Sequence, residues 1–216
     1  MGKRVQKKAR AAARRRRRRL NVIIGIVVVV GAIAAFAATR PPKRDPSLPV
    51  LVSEEMSKGP AEATVTIVEY GDFNCPSCRQ YHQLGIIDQV LAQYPEEVRF
   101  VWRHFPVITP QSPDLAEAAE CAADQGAFWD FHDLLFDAAP TGKGQMIGFA
   151  EQLGLDAEAF GQCFESGGYQ DAVEDQMLEA FGHGFRGTPS FMINETPLAG
   201  PPTYEYLISV VEGQLN

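Results

Sequence analysis

A cysteine pair, Cys75-Pro76-Ser77-Cys78, falls where a strand-like pattern stops and a helix-like one starts, and it constrains this chain more than any other feature. Thr64 to Tyr70 is β-branched and aromatic, short enough to be a buried strand. Gly71-Asp72-Phe73-Asn74 breaks it, and the stretch from Arg79 to Tyr94 then places apolar residues at Leu84, Ile87, Val90 and Leu91, a helical spacing. The pair therefore sits at a strand-to-helix turn. A thiol at the start of a helix faces free N–H groups and the positive end of the helix dipole, which favour its thiolate. Pro76 suits the first turn, where its missing N–H has no helical partner. The spacing predicts a reversible two-electron switch, with Cys75 exposed and nucleophilic and Cys78 more buried and resolving. Half of a zinc site or a structural bridge would use the same spacing. Zinc needs four ligands, and neither Cys121, Cys163 nor the four scattered histidines supply a second pair, so redox chemistry is expected, with no metal and no cofactor.

The elements after the pair complete a fold pattern. Val98 to Phe105 reads as a second strand, giving a β-α-β order. About 75 residues of helical character follow: Asp114 to Gln125, Phe128 to Phe136, Asp156 to Phe164 and Tyr169 to Phe181. Ser190 to Asn194 reads as a third strand, Leu198-Ala199-Gly200 as a short partner, and Thr203 to Gln214 as a closing helix. This is the order of an α/β thioredoxin fold with a helical insertion at about 112–182.

The N-terminus is of another kind. The first twenty residues hold eleven of the 20 Lys and Arg and no acid, with six consecutive arginines from Arg14 to Arg19. Leu20 to Ala38 then carries no charge over 19 residues, roughly 29 Å as a helix, close to the hydrocarbon thickness of a bilayer. Dense positive charge on its N-terminal side predicts a single-pass anchor at 20–39, a cytoplasmic tail at 1–19 and an extracytoplasmic body. The rival is a cleaved export signal, since Ala35-Phe36-Ala37 has the small-x-small form that signal peptidase reads. Five prolines between residues 41 and 60 predict an extended linker over 40–59, ahead of a domain at 60–216. Residues 21–216 hold nine basic and 27 acidic side chains, which excludes a general nucleic-acid-binding domain. Thirteen Phe, six Tyr and two Trp exclude intrinsic disorder.

Two further positions bear on the cysteines. Glu69 lies on the first strand, six residues before Cys75; an acid buried there would need a task, such as passing a proton to or from Cys78, and the plainer reading has it facing solvent. In Arg186-Gly187-Thr188-Pro189-Ser190 a proline opens a strand, where a cis peptide can present the backbone of the residue before it beside a disulfide; a trans strand-breaker is the alternative.

Together, Glu69, Phe73-Asn74-Cys75-Pro76-Ser77-Cys78, Arg103-His104-Phe105-Pro106, Gly126-Ala127-Phe128-Trp129 and Gly187-Thr188-Pro189-Ser190-Phe191 resemble the DsbA-like branch of the thioredoxin superfamily, the exported thiol:disulfide oxidoreductases. The resemblance covers about residues 60 to 216. It implies that Cys75 exchanges with substrate, Cys78 resolves, Thr188 and cis-Pro189 hold the substrate backbone, and Glu69 serves proton transfer. It also implies exported unfolded or reduced proteins as substrates and a membrane redox partner that resets the pair. The most strongly oxidising members carry Pro-His between the cysteines; Pro-Ser here implies a milder oxidant, with a reductase or isomerase as the alternative. A redox-inert peptide-binding or chaperone module would have no reason to keep both thiols.

If Cys75 and Cys78 are the working pair, Cys121 and Cys163 are left to bridge one another in a compartment where bridges persist; two buried free thiols are the alternative. His82, seven residues after Cys75, is expected on the same helix face and could modulate the site, while His104, His132 and His183 read as structural. Phe128, Trp129, Phe131 and Phe136 read as core of the helical block.

Overall fold

The computed structural model describes residues 54–138 and 142–215. Among these, five strands form one sheet: Ser57–Lys58 (β1), Val65–Gly71 (β2), Val98–His104 (β3), Ser190–Ile193 (β4) and Thr196–Ala199 (β5), in the order β1-β3-β2-β4-β5. β2 and β3 run parallel and the other neighbours antiparallel. Parallel neighbours need a crossover, and it is made by Pro76–Leu84 (α1) and Ile86–Gln93 (α2). Between β3 and β4 lie Ser112–Ala123 (α3), Phe128–Ala138 (α4), Lys143–Gln152 (α5), Ala157–Ser166 (α6) and Gln170–Gly182 (α7); Tyr204–Leu215 (α8) closes the chain. This is a thioredoxin-like α/β fold with a helical insertion.

The strand period of two separates the sheet's faces. Val65, Ile67, Phe100, Phe191 and Ile193 pack with Tyr81, Val90, Leu207 and Val211 on one side. Tyr70 and Met192, next in register to residues of the first face, point the other way and pack with Phe105, Ala180 and Phe185. The insertion has its own core of Phe128, Phe131, Leu135, Phe136 and Phe160, and this core takes in Phe73, Trp102, Cys75 and Cys78. At about 1.5–3 kcal/mol for each fully buried large apolar side chain, this third cluster rivals the sheet's own core. The cysteine turn is thus clamped between sheet and insertion.

Three expectations are corrected. The helix opens at Pro76, in the first turn as expected, but does not run on to Tyr94: it breaks at Gly85, whose φ of 61° is a left-handed cap that favours glycine. The helical block has an additional member, α5, whose sequence KGQMIGFAEQ carries two glycines and buries only Met146 and Ala150, too sparse a pattern to stand out. Part of the expected linker joins the domain: Met56 is buried and β1 pairs with β3 through Ser57 and Lys58. The tail at 1–19, the anchor at 20–39 and the rest of the linker lie outside the described residues. Within the described ones, no helix is long and apolar enough to cross a membrane.

Gly71 shows how closely the sheet packs ahead of the cysteine turn. A Cβ at this position would lie 2.1 Å from the Trp102 ring, so the last residue of β2 can carry no side chain while Trp102 keeps its place.

Candidate active site

Cys75 is the N-cap residue of α1, with Pro76 directly after it in the first turn. Its N–H donates to the Asp72 carbonyl at 2.9 Å, and its own carbonyl accepts from Arg79 N–H at 3.0 Å, the first bond of the helix. Asp72 holds the turn from below. Its buried carboxylate accepts from Asn74 N–H and from Ile108 N–H, each at 2.8 Å, and the Asn74 amide donates to Thr109 at 2.9 Å. The loop before the cysteines is therefore tied to the loop after β3. Burial pushes the Asp72 pKa up, and these N–H groups pull it back. Sequence reading passed over Asp72, although an acid between a strand and a cysteine turn was the available signal.

The chain closes over Cys75 from the other side. The Thr188–Pro189 peptide is cis, and the Cys75 thiol donates to the Thr188 carbonyl at 3.2 Å. The trans alternative for Pro189 is set aside. Cys75 is not exposed as expected: it is only 3% accessible, against 0% for Cys78, because it faces Thr188 and joins the insertion core. Both thiols are unbridged.

The two thiols ionise very differently. A hydrogen bond from the Cys78 thiol, and then the Thr188 side chain and the N–H groups of Cys78 and Ser77, outweigh burial and bring the Cys75 pKa down from about 9 to about 5. Burial pushes Cys78 strongly up, and its bond to Cys75 and the charge of Glu69 add to that.

Glu69 does not face solvent. It lies on the central strand between Trp102 of β3 and Phe191 of β4, 5% accessible, and burial, with the Cys75 thiolate second, raises its pKa to about 8. An acid raised in this way stays protonated near neutrality. The sign for stability follows: the contribution is complete below the ordinary carboxyl pKa near 4.5 and is lost as pH rises toward about 8. We expect urea unfolding of the disulfide form, in which neither site thiol titrates and burial alone raises Glu69, to show stability declining as pH rises above about 4.5, over a window that closes below about 8 because the Cys75 thiolate is absent. In Glu69→Gln the decline should flatten; an unchanged pH profile would remove Glu69 as its source.

Cys121 of α3 and Cys163 of α6 are joined by a disulfide. His104 and His132, read as structural, are buried. His104 is buried, accepts from Trp102 Nε1–H at 3.1 Å and is depressed by burial to a pKa of about 3. His82 stacks on Phe136 of α4 and meets His132 edge-on.

A family model described as thioredoxin matches residues 52–213. The chain belongs to the thioredoxin family. Solved structures place it more narrowly by likeness. A thioredoxin-like oxidoreductase from Silicibacter pomeroyi DSS-3 superposes with a TM-score of 0.64 at 30% identity, over 73% of this chain and 90% of that one. Pseudomonas aeruginosa DsbA2 superposes with a TM-score of 0.65 at 26% identity, over 77% of this chain and 96% of that one. The resemblance to the DsbA-like branch is thus met at the level of fold and general oxidoreductase class. The Na(+)/H(+) antiporter NhaA 1 of Salinispora arenicola is 36% identical over 172 residues, 77% of this chain. The chain spans only 26% of that protein, so the likeness is to one part of it.

Proposed function

We propose that this domain is a thiol:disulfide oxidoreductase that oxidises cysteine pairs in exported proteins. The observation that carries the reading is the asymmetry of the pair: Cys75 is held near pKa 5, Cys78 is pushed well above the usual thiol value, and the Thr188 carbonyl lies beside Cys75.

Magnitudes favour oxidation over reduction. At pH 7 a thiol of pKa about 5 is about 99% ionised, against about 1% for one near 9, a gain of about a hundredfold in thiolate. Nucleophilicity falls with pKa at a slope of about 0.4–0.5, so four pKa units cost about 40- to 100-fold in attack. The two cancel for Cys75 as an attacker. As a leaving group Cys75 gains without compensation, and a comfortable thiolate stabilises the reduced form, which makes the disulfide an oxidant.

The electrons balance as follows. A client thiolate attacks Cys75 of the Cys75–Cys78 disulfide, forming a client–Cys75 mixed disulfide and releasing Cys78, whose high pKa demands a proton. Glu69, protonated near neutrality and electrostatically coupled to Cys78, is the group to supply it. The client's second thiolate then attacks the client sulfur and expels Cys75 as thiolate. The client loses two electrons, the pair gains them, and a membrane redox partner removes them. Thr188 and Pro189 hold the client backbone in this scheme.

The apolar segment 20–38 anchors the domain outside the cytoplasm in this reading, supported by the arginine run before it and by the compartment in which a Cys121–Cys163 bridge persists. The test is reactivation of a reduced, unfolded disulfide-containing enzyme. The oxidised protein should restore its activity faster than glutathione disulfide at equal concentration. A protein that only reduces disulfides, with a potential near that of thioredoxin, would replace the oxidase reading with the reductase one.

A further inference from the structure

At the far end of α1 the fold gathers three ligand-type side chains that the sequence keeps fifty residues apart. His82 lies in the last turn of α1, and His132 and Asp133 are consecutive on α4. His132 Nδ1 is 2.8 Å from Asp133 Oδ1, and His82 Nε2 is 3.9 Å from the same oxygen. Ligand atoms of all three lie within 4.8 Å of one another. A tetrahedral ion with bonds of about 2.0–2.2 Å holds its donors roughly 3.4 Å apart, inside the spread observed.

The cluster is buried on one side and open to solvent on the other. The His132 side chain is 6% accessible and packs against Trp102 and Phe73, with ring centroids 4.8 and 5.5 Å away. His82 is 26% accessible and stacked on Phe136, while Asp133 is 49% accessible and held to His132 through Oδ1. A cavity of about 30 Å³, lined by both histidines and by Glu69 but not by Asp133, adjoins the cluster and has room for roughly one water. Lys58 also lines this cavity, but its ammonium is engaged by Asp88 at 3.2 Å.

We propose that His82, His132 and Asp133 form a binding site for a divalent transition metal of the zinc type, tying the cysteine-bearing helix α1 to α4 of the insertion. Two imidazoles and one carboxylate suit zinc, cobalt or nickel and not magnesium or calcium, which take all-oxygen sets. His82 follows Cys78 by one helical turn, so the ion would brace the helix that carries both thiols. The site needs neither thiol.

The probe is Co²⁺, titrated into the full chain with Cys75 and Cys78 oxidised to each other, so that no thiol competes. One equivalent should bring up visible d–d absorption without thiolate-to-cobalt charge transfer, and Zn²⁺ should abolish it while excess Mg²⁺ should not. Loss even of an outer partner of a metal ligand costs about 10- to 100-fold in affinity, so His82→Ala and Asp133→Asn should each weaken binding at least about tenfold. Both residues are partly exposed, and the variants are compared at equal thermal stability without metal. Absence of the cobalt bands in the oxidised protein, or undiminished affinity in His82→Ala, would overturn the proposal. Neither result depends on oxidase activity.

Discussion

Cys75→Ser is expected to bring client oxidation down to the uncatalysed background, whereas Cys78→Ser should accumulate client adducts. A serine at 75 offers no sulfur for the mixed disulfide, so every step after the first encounter is lost. In Cys78→Ser the adduct on Cys75 can still form from an added disulfide, but its intramolecular escape route is gone. Without Cys78 to attack, the adduct should survive long enough to be captured by acid quenching and seen as a mass shift on Cys75. The same substitution carries a second signature. The hydrogen bond from the Cys78 thiol is the largest cause of the low Cys75 pKa, so its loss should move the pH midpoint of Cys75 alkylation upward from about 5. A serine hydroxyl at 78 could donate in its place, so Cys78→Ala is the cleaner variant for that measurement. Adducts captured on Cys78 in place of Cys75 would reverse the division of labour.

The strand-to-helix cysteine turn was legible because each residue in it has a local reason: β-branched residues before, a proline at the first helical turn, apolar spacing after. Glu69 was legible for a similar reason, since a carboxyl in the middle of an apolar strand is conspicuous. Its burial was open until β4 was seen to pair on the far side of β2, which makes β2 central. Cys75's own burial was not legible. It depends on Thr188, 113 residues away, and on an insertion core that no local pattern reports. Asp72 was missed for the same reason: it earns its place through N–H groups at Asn74 and Ile108, one local and one 36 residues away. The missing Pro-His dipeptide suggested a weaker thiolate, yet in the structure the Cys78 thiol, Thr188 and backbone N–H groups act on Cys75 without an imidazole. The histidines teach the converse. Scattered in sequence, they gave no ligand spacing, and only the packing of α4 against α1 sets His82 beside His132.

Replacing both Cys121 and Cys163 by alanine should cost about 4 kcal/mol of stability while leaving the cysteine turn able to work in whatever fraction stays folded. The bridge closes a separation of 42 residues, and the chain-entropy relation assigns a loop of that length about 4 kcal/mol. Set against a total of roughly 5–15 kcal/mol for a domain of this kind, that is a large share. Alanine is the better replacement at 121, because the site is 1% accessible and a serine hydroxyl there would need a partner in an apolar cluster. The loss should be felt first where the bridge holds α3 to α6, since the sheet core on the α1, α2 and α8 side has no member in either helix. Urea unfolding followed by far-ultraviolet circular dichroism measures the total, and client oxidation at low temperature measures what survives. Activity per folded molecule should stay within about twofold, because the hydrogen-bond partners of the Cys75 thiol are Cys78, Ser77 and Thr188, none of them on α3 or α6. A stability loss below about 1 kcal/mol would mean that the unfolded chain is already confined without the bridge, and would remove the loop-closure account of its role.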